Sequence, residues 1–368
     1  MNNMRHVIHL SAILMMATFV SAQSPKNEIQ NSVVKTTDRA TAATSTGSEV
    51  AKVAWSDTSG HQVRFVTVEP GVQLEVLDWG GKGEALVLLT GLGNTAHVYD
   101  HFAHNFTDCF RVIGITRRGF GQSSKPAQGY DVETRTRDDV KILDALGIKS
   151  AFFAGHSIAG DELSKLGAVY SDRVKKLVYL DAVDYGAWGA VFKAYPPPNP
   201  PPFTTADKES VERFAAAYTR IFGIRMPEAE IRQTSQFDAV GCYIEDDSQD
   251  NVAQKITDLS QPAAYGLIGA PALAIYNHFT RESAPWDCWG LDRPQQEQAD
   301  YFWEHLLVWL KDARQRFRSE VKNSRVVELE KSHHYVFIRD EADVVREMRK
   351  FLLKENANRK ENNAQLPP

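Results

Sequence analysis

The sequence predicts an α/β protein: a mostly parallel sheet flanked by helices, with a helical cap inserted between the sixth and seventh strands. Three observations carry this. Short apolar runs alternate with segments of helical spacing from about Val63 to Leu353. Runs such as EALVLLTGL are apolar without alternation, as strands buried on both faces must be. The stretch 183–264 between two strands is too long for a simple loop.

HQVRFVTVEP and VQLEVLDWG read as a hairpin at the start of the fold, and EALVLLTGL and RVIGITRRG as the next strands. Val140, Leu143 and Leu146 share one face of a helix over 134–146 that stops at Gly147. SAFFAGHS is a strand, 159–170 a helix, and KKLVYLDAV the sixth strand. PALAIYN is the seventh strand. It precedes a helix over 295–318 with Phe302, Leu306 and Leu310 on one side. SRVVELEK and a helix over 342–353 close the fold. The core is therefore expected over 51–182 and 265–354, and the cap over 183–264. The cap opens with the stiff run YPPPNPPPF and continues with helix-like segments such as SVERFAAAYTRIFG.

The chain has 368 residues, 43% hydrophobic and 24% charged, with a net charge of −5. No basic stripe is present, so nucleic acid is not an expected partner. Arg5 and His6 precede the apolar run Leu10 to Val20, and Val20-Ser21-Ala22 forms a small-residue cleavage site. Residues 1–22 are expected to be an export signal, leaving no stable membrane span after cleavage. The run is roughly half the roughly 20 residues a spanning helix needs. A periplasmic or secreted protein is expected. Residues 23–50 and 355–368 hold too few large apolar groups to offset chain entropy and are expected to be disordered. An oxidising compartment permits a Cys242–Cys288 disulfide, while Cys109 reads as a small buried hydrophobe.

Chemistry concentrates where a strand turns sharply into a helix, at Gly155-His156-Ser157-Ile158-Ala159. Small residues two before and two after the serine relieve a cramped apex. The hydroxyl is then pushed out above the sheet, next to a helix N-terminus that favours negative charge. With LLTGLGN, RRGFGQS and the ending HHYVFIRDEADVVREMRKFL in the expected order, the chain resembles the α/β-hydrolase fold superfamily over about 63–353.

The resemblance implies a nucleophile at Ser157 and a base in the loop after the last strand. His334 fits the base position, with His333 standing where glycine is usual, and either histidine is a candidate. No aspartate sits at the commonest spacing after PALAIYN. The acid is expected at Asp181, at the end of the preceding strand, as in some relatives; Asp287 is the alternative, with Glu282 and Asp184 behind it. Leu92 and Ile158 are the expected backbone donors for an oxyanion, and His97 and His156 candidates for the substrate pocket. Relatives that open epoxides or remove halogens carry an aspartate where Ser157 stands.

The expected activity is that of an exported, carboxylesterase-like serine hydrolase. It would act on a small ester-like molecule through an acyl-enzyme, without a cofactor; amide, lactone and carbon–carbon bond cleavage stay open. Two other readings compete. GLGNTA after a strand matches a dinucleotide fingerprint, and Arg117 and Arg118 at the next strand's end suit a 2′-phosphate, as in an NADP-dependent reductase. A catalytically silent binding protein with the same fold is the other. His97, His101 and His104 fall at helical spacing, but no carboxylate is clearly placed to complete a metal site, and none is expected. The cap aromatics Tyr185, Trp188, Phe192 and Tyr195 suit an apolar or aromatic group, or packing alone.

Overall fold

The computed structural model describes residues 55–247, 251–281 and 284–354. The expected export signal, leader and tail lie outside them, as does Glu282. Strands β1 (Gln62–Glu69) and β2 (Val72–Gly80) form the expected hairpin. β3 (Ala85–Leu89), β4 (Arg111–Ile115), β5 (Ala151–His156) and β6 (Val174–Leu180) follow. After β6 comes the inserted segment, with a short antiparallel ribbon of β7 (Ser235–Phe237) and β8 (Tyr243–Asp246). β9 (Ala272–His278) and β10 (Ser324–Glu330) complete the main sheet, ordered β1-β2-β4-β3-β5-β6-β9-β10.

Burial explains the order. β3 and β5 are buried at every position and occupy the centre, whereas β1 is largely exposed and forms an edge. Pairings from β4 through β10 are parallel; β1/β2 and β2/β4 are antiparallel. Because β3 lies between β4 and β5, the chain leaves β3 in one direction and returns on its other side. That reversal opens a crevice at the carboxyl ends of β3 and β5.

Caps set the helix limits, which differ slightly from expectation. The helix Val132–Ala145 begins after Asp131, whose side chain accepts from Thr134 N–H at 2.8 Å. The long helix spans Arg293–Glu320 because Asp292 and Gln295 close a capping box around a first-turn proline. The last helix is Glu341–Leu352.

The insertion carries helices Trp188–Ala194, Val211–Phe222, Glu228–Thr234 and Val252–Asp258, and also the β7–β8 ribbon, which the sequence pattern did not suggest. Strands of three and four residues are too short for alternation to register. Packing places them: Phe214 stacks on Tyr243 at 5.0 Å and on Phe203, at the end of the proline run, at 4.5 Å. The expected Cys242–Cys288 disulfide is not formed. Cys242 Sγ donates to Glu209 O at 3.3 Å and Cys288 Sγ to Arg220 O at 3.8 Å, so each thiol is drawn to a different backbone carbonyl.

One close approach couples the helix after β5 to the segment after β6. A Cβ on Gly160 would lie 2.4 Å from the carbonyl oxygen of Val183. Gly160→Ala is expected to force that segment away and to cost about 1–3 kcal/mol, measured by urea denaturation. A change within about 0.5 kcal/mol would show that the segment yields freely.

Candidate active site

The predicted residues sit at the ends of strands and in the loops that follow them. At the end of β5, Ser157 has φ +56°, a left-handed conformation that costs a serine strain. A Cβ on Gly155 would lie 2.9 Å from Ala159 Cβ and 3.0 Å from Leu163 Cδ1, which is why small residues flank the apex. Ser157 N–H donates to Leu180 O at 3.2 Å, tying the apex to β6. The Ser157 hydroxyl is fully buried and lies 3.2 Å from the hydroxyl of Tyr185, in the insertion.

Asp181 follows β6 with φ +44°. Its Oδ2 accepts from His334 Nδ1 at 2.7 Å, and its Oδ1 from Asn277 N–H at 3.0 Å and Arg314 Nη2 at 3.2 Å. A carboxylate only accepts, so His334 carries its proton on Nδ1 and presents a lone pair at Nε2. That nitrogen is buried and has no hydrogen-bond partner among the described residues. The serine hydroxyl is turned to Tyr185 instead of to this nitrogen.

The other candidates stand elsewhere. Asp287 is exposed and pairs with Arg281 at 3.0 Å. Asp184 pairs with Arg316 and accepts from Gly186 N–H at 2.8 Å, fixing the entry to the insertion. His333 faces away from Asp181: its Nε2 donates to Phe222 O at 3.0 Å and its Nδ1 accepts from Tyr335 N–H at 3.2 Å. Burial lowers its pKa to about 4, so it stays neutral.

His156 does not line a pocket. It is fully buried behind His334, its Nε2 donating to His334 O at 3.1 Å and its ring 4.7 Å from Tyr335. Burial, then the neighbouring His334, hold its pKa well below the usual value. A Cβ on Gly91 would come within 2.6 Å of His156 Nδ1, so the ring also sets the turn after β3. His97 does not join this group either; its ring faces Asp57, Glu75 and Asp100.

The turn itself is closed by Asn94 N–H to Gly91 O at 3.3 Å, with Leu92 inside it. Arg117 donates to Thr90 O at 2.9 Å and Gly91 O at 3.3 Å while its Nε holds Glu162 at 2.7 Å. From the insertion, Glu230 accepts from Asn94 Nδ2 at 2.9 Å, from Thr95 N–H at 3.1 Å and from the Thr95 hydroxyl. Tyr335 OH donates to Asn94 Oδ1 at 3.1 Å. Sequence reasoning missed Glu230, Asn94 and Tyr335. Asn94 and Glu230 are 136 residues apart, and no local pattern links them. A narrow crevice beside the turn is lined by Asn94, Phe214, Tyr218, Met226 and Ile231.

These contacts overturn the dinucleotide reading. Arg117 is spent on backbone carbonyls and Glu162, and Arg118 is held by Asp138 at 2.7 Å and Glu69 at 3.0 Å. Thr95 N–H is taken by Glu230. The turn leads into a helical stretch broken into three short pieces, Ala96–Tyr99, Asp100–Ala103 and His104–Phe106, without the single long helix whose N-terminus receives a pyrophosphate.

The model of a family described as alpha/beta hydrolase fold matches residues 84–223. The chain has the α/β-hydrolase fold. A bifunctional esterase/perhydrolase from Acinetobacter calcoaceticus is 30% identical over 122 residues, 32% of this chain and 44% of that protein. Bifunctional epoxide hydrolase 2 of Mus musculus is 32% identical over 120 residues, 32% of this chain and 22% of that protein. The chain thus matches less than half the length of these curated relatives. Among solved structures, that of E-2-(acetamidomethylene)succinate hydrolase superposes with a TM-score of 0.57 at 17% identity. It covers 80% of this chain and all of that one, a likeness of fold alone.

Within this hydrolase fold, Glu230 is a titrating link between insertion and turn. Burial raises its pKa to about 7, against the pull of its Thr95 and Asn94 donors. A raised carboxyl pKa favours the folded state below the unfolded value of 4.5, and that contribution is lost as pH rises through about 7. Glu230→Gln is expected to flatten the fall in stability across this window in urea melts; an unchanged slope would assign the titration elsewhere.

Proposed function

We propose that the chain is an exported serine hydrolase that cleaves a small ester-like substrate through an acyl-enzyme. The observation that carries this is the 2.7 Å contact of His334 Nδ1 with buried Asp181, which leaves Nε2 as an unpartnered lone pair, on a ring 4.5 Å from that of His156, the residue before Ser157. The curated relative named an esterase/perhydrolase adds support, as do the residues of the export signal.

On substrate entry, Ser157 leaves Tyr185 for His334. Its oxygen bonds to the acyl carbon as the proton passes to Nε2, and the carbonyl electrons move onto oxygen. The backbone N–H groups of Leu92 and Ile158 receive that oxyanion. The C–O bond to the leaving group breaks, and the alcohol takes the proton from His334. Water then repeats the sequence, giving up a proton to His334 and releasing the acid and Ser157. Asp181 keeps His334 in its tautomer and stabilises the imidazolium, while Asn277, Arg314 and His156 keep both in register. Because Ser157 is fully buried, the insertion must shift to admit substrate. The apolar crevice at Phe214, Tyr218 and Met226 suits an aliphatic or aromatic group.

Turnover of p-nitrophenyl acetate and labelling by a fluorophosphonate test this. Ser157→Ala should abolish both while the protein stays folded, and Asp181→Asn should lower kcat by about 10⁴-fold. Asp287→Asn should change neither. Turnover surviving in Ser157→Ala removes serine from the mechanism. A wild-type protein inert to every probe would instead be a binding protein of this fold.

A further inference from the structure

Away from Ser157, Asp57, His61, His97 and Asp100 each place one donor atom within 4.8 Å of the other three. The sequence offered His97 without a carboxylate to complete a site. The structure brings Asp57 and His61 from the segment before β1, and Asp100 one turn beyond His97. We propose that these four side chains bind a divalent transition ion, zinc first, that pins the segment before β1 to the segment after the Gly91–Asn94 turn.

The arrangement of used and unused atoms carries the inference. Asp57 Oδ1 accepts from Ser59 N–H at 2.9 Å, leaving Oδ2 without a partner. Asp100 Oδ1 accepts from His61 Nδ1 at 2.8 Å and Trp79 Nε1 at 3.1 Å, leaving Oδ2 without a partner. His61, having donated through Nδ1, offers Nε2, which lies 3.7 Å from Asp57 Oδ2. His97 is 2% exposed, yet neither ring nitrogen makes a hydrogen bond. Its Nδ1 has Asp57 Oδ2 at 3.2 Å and Asp100 Oδ2 at 3.4 Å, neither in hydrogen-bonding geometry.

Atoms that approach so closely without bonding one another converge on a shared point. In a tetrahedron with metal–ligand bonds of about 2.0–2.1 Å the edges are about 3.3 Å; three of the six separations here are 3.2, 3.4 and 3.7 Å, and all lie within 4.8 Å. Two imidazoles and two carboxylates suit zinc among the common ions. The outer shell is also built: Glu75 lies 3.5 Å behind His97 Nε2 and is itself held by Thr116 Oγ1 at 2.6 Å.

The test uses the full, untagged chain, stripped with a chelator and then given zinc alone. The expected result is one zinc per chain by elemental analysis and a Tm higher by at least about 5 °C than the stripped protein. Cobalt should give the absorption of a tetrahedral site and be displaced by zinc. Asp57→Asn and His61→Gln, checked for folding by circular dichroism, should each weaken zinc binding at least about tenfold. A stripped chain that takes up no zinc overturns the proposal, leaving the cluster as polar contacts among the four side chains and Glu75. Equal zinc affinity in both variants overturns it as well. Neither readout depends on hydrolase activity, so this test and that of Ser157 fail independently.

Discussion

The contact between Asp181 and His334 is the constraint around which the molecule is organised. Asp181 is buried at the end of β6, and a buried carboxylate left without partners is severely destabilising, by about 3–5 kcal/mol for a broken buried pair. Asn277 N–H and Arg314 occupy one of its oxygens, so the end of β9 and the long helix must both arrive in register. The other oxygen is reserved for His334, delivered by the loop after β10. Three neighbouring strands and one helix therefore meet at a single side chain.

From that point the order spreads through His156. Its ring bonds the carbonyl of His334, packs on Tyr335 and lies against Gly91, so the residue before Ser157 sets both the candidate base and the turn after β3. The insertion adds its own grip through Tyr185 on Ser157, Glu230 on Asn94 and Thr95, and Phe222 on His333. Each contact links a polar group of the insertion to one at the carboxyl ends of the strands. The insertion is thereby held in place by hydrogen bonds.

A second organising cluster lies on the other side of the same turn. His97 and Asp100 come soon after Thr95 in sequence, and Asp57 and His61 approach from the segment before β1. Glu75 on β2 stands behind His97, and Arg117 on the far side holds the carbonyls of Thr90 and Gly91. The turn that carries Leu92 is thus bracketed by buried charge, which fixes its backbone more firmly than its glycines would alone.

The sequence by itself determined the features that depend on short-range pattern. Fully apolar runs identified the buried strands, capping residues set helix ends to within about two positions, and small residues around Ser157 marked a turn that only a strained apex requires. Asp181 and His334 came only through the resemblance to α/β-hydrolases, as candidates beside Asp287 and His333. Tertiary structure decided which of two adjacent histidines turns to the carboxylate, because that depends on His333 finding Phe222 in the insertion. It alone produced the β7–β8 ribbon, kept Cys242 and Cys288 apart, and withdrew His97 and His156 from the pocket. It also joined residues 57, 61, 97 and 100. These outcomes rest on contacts between segments remote in the chain, and a one-dimensional pattern carries no record of which buried polar atom will meet which.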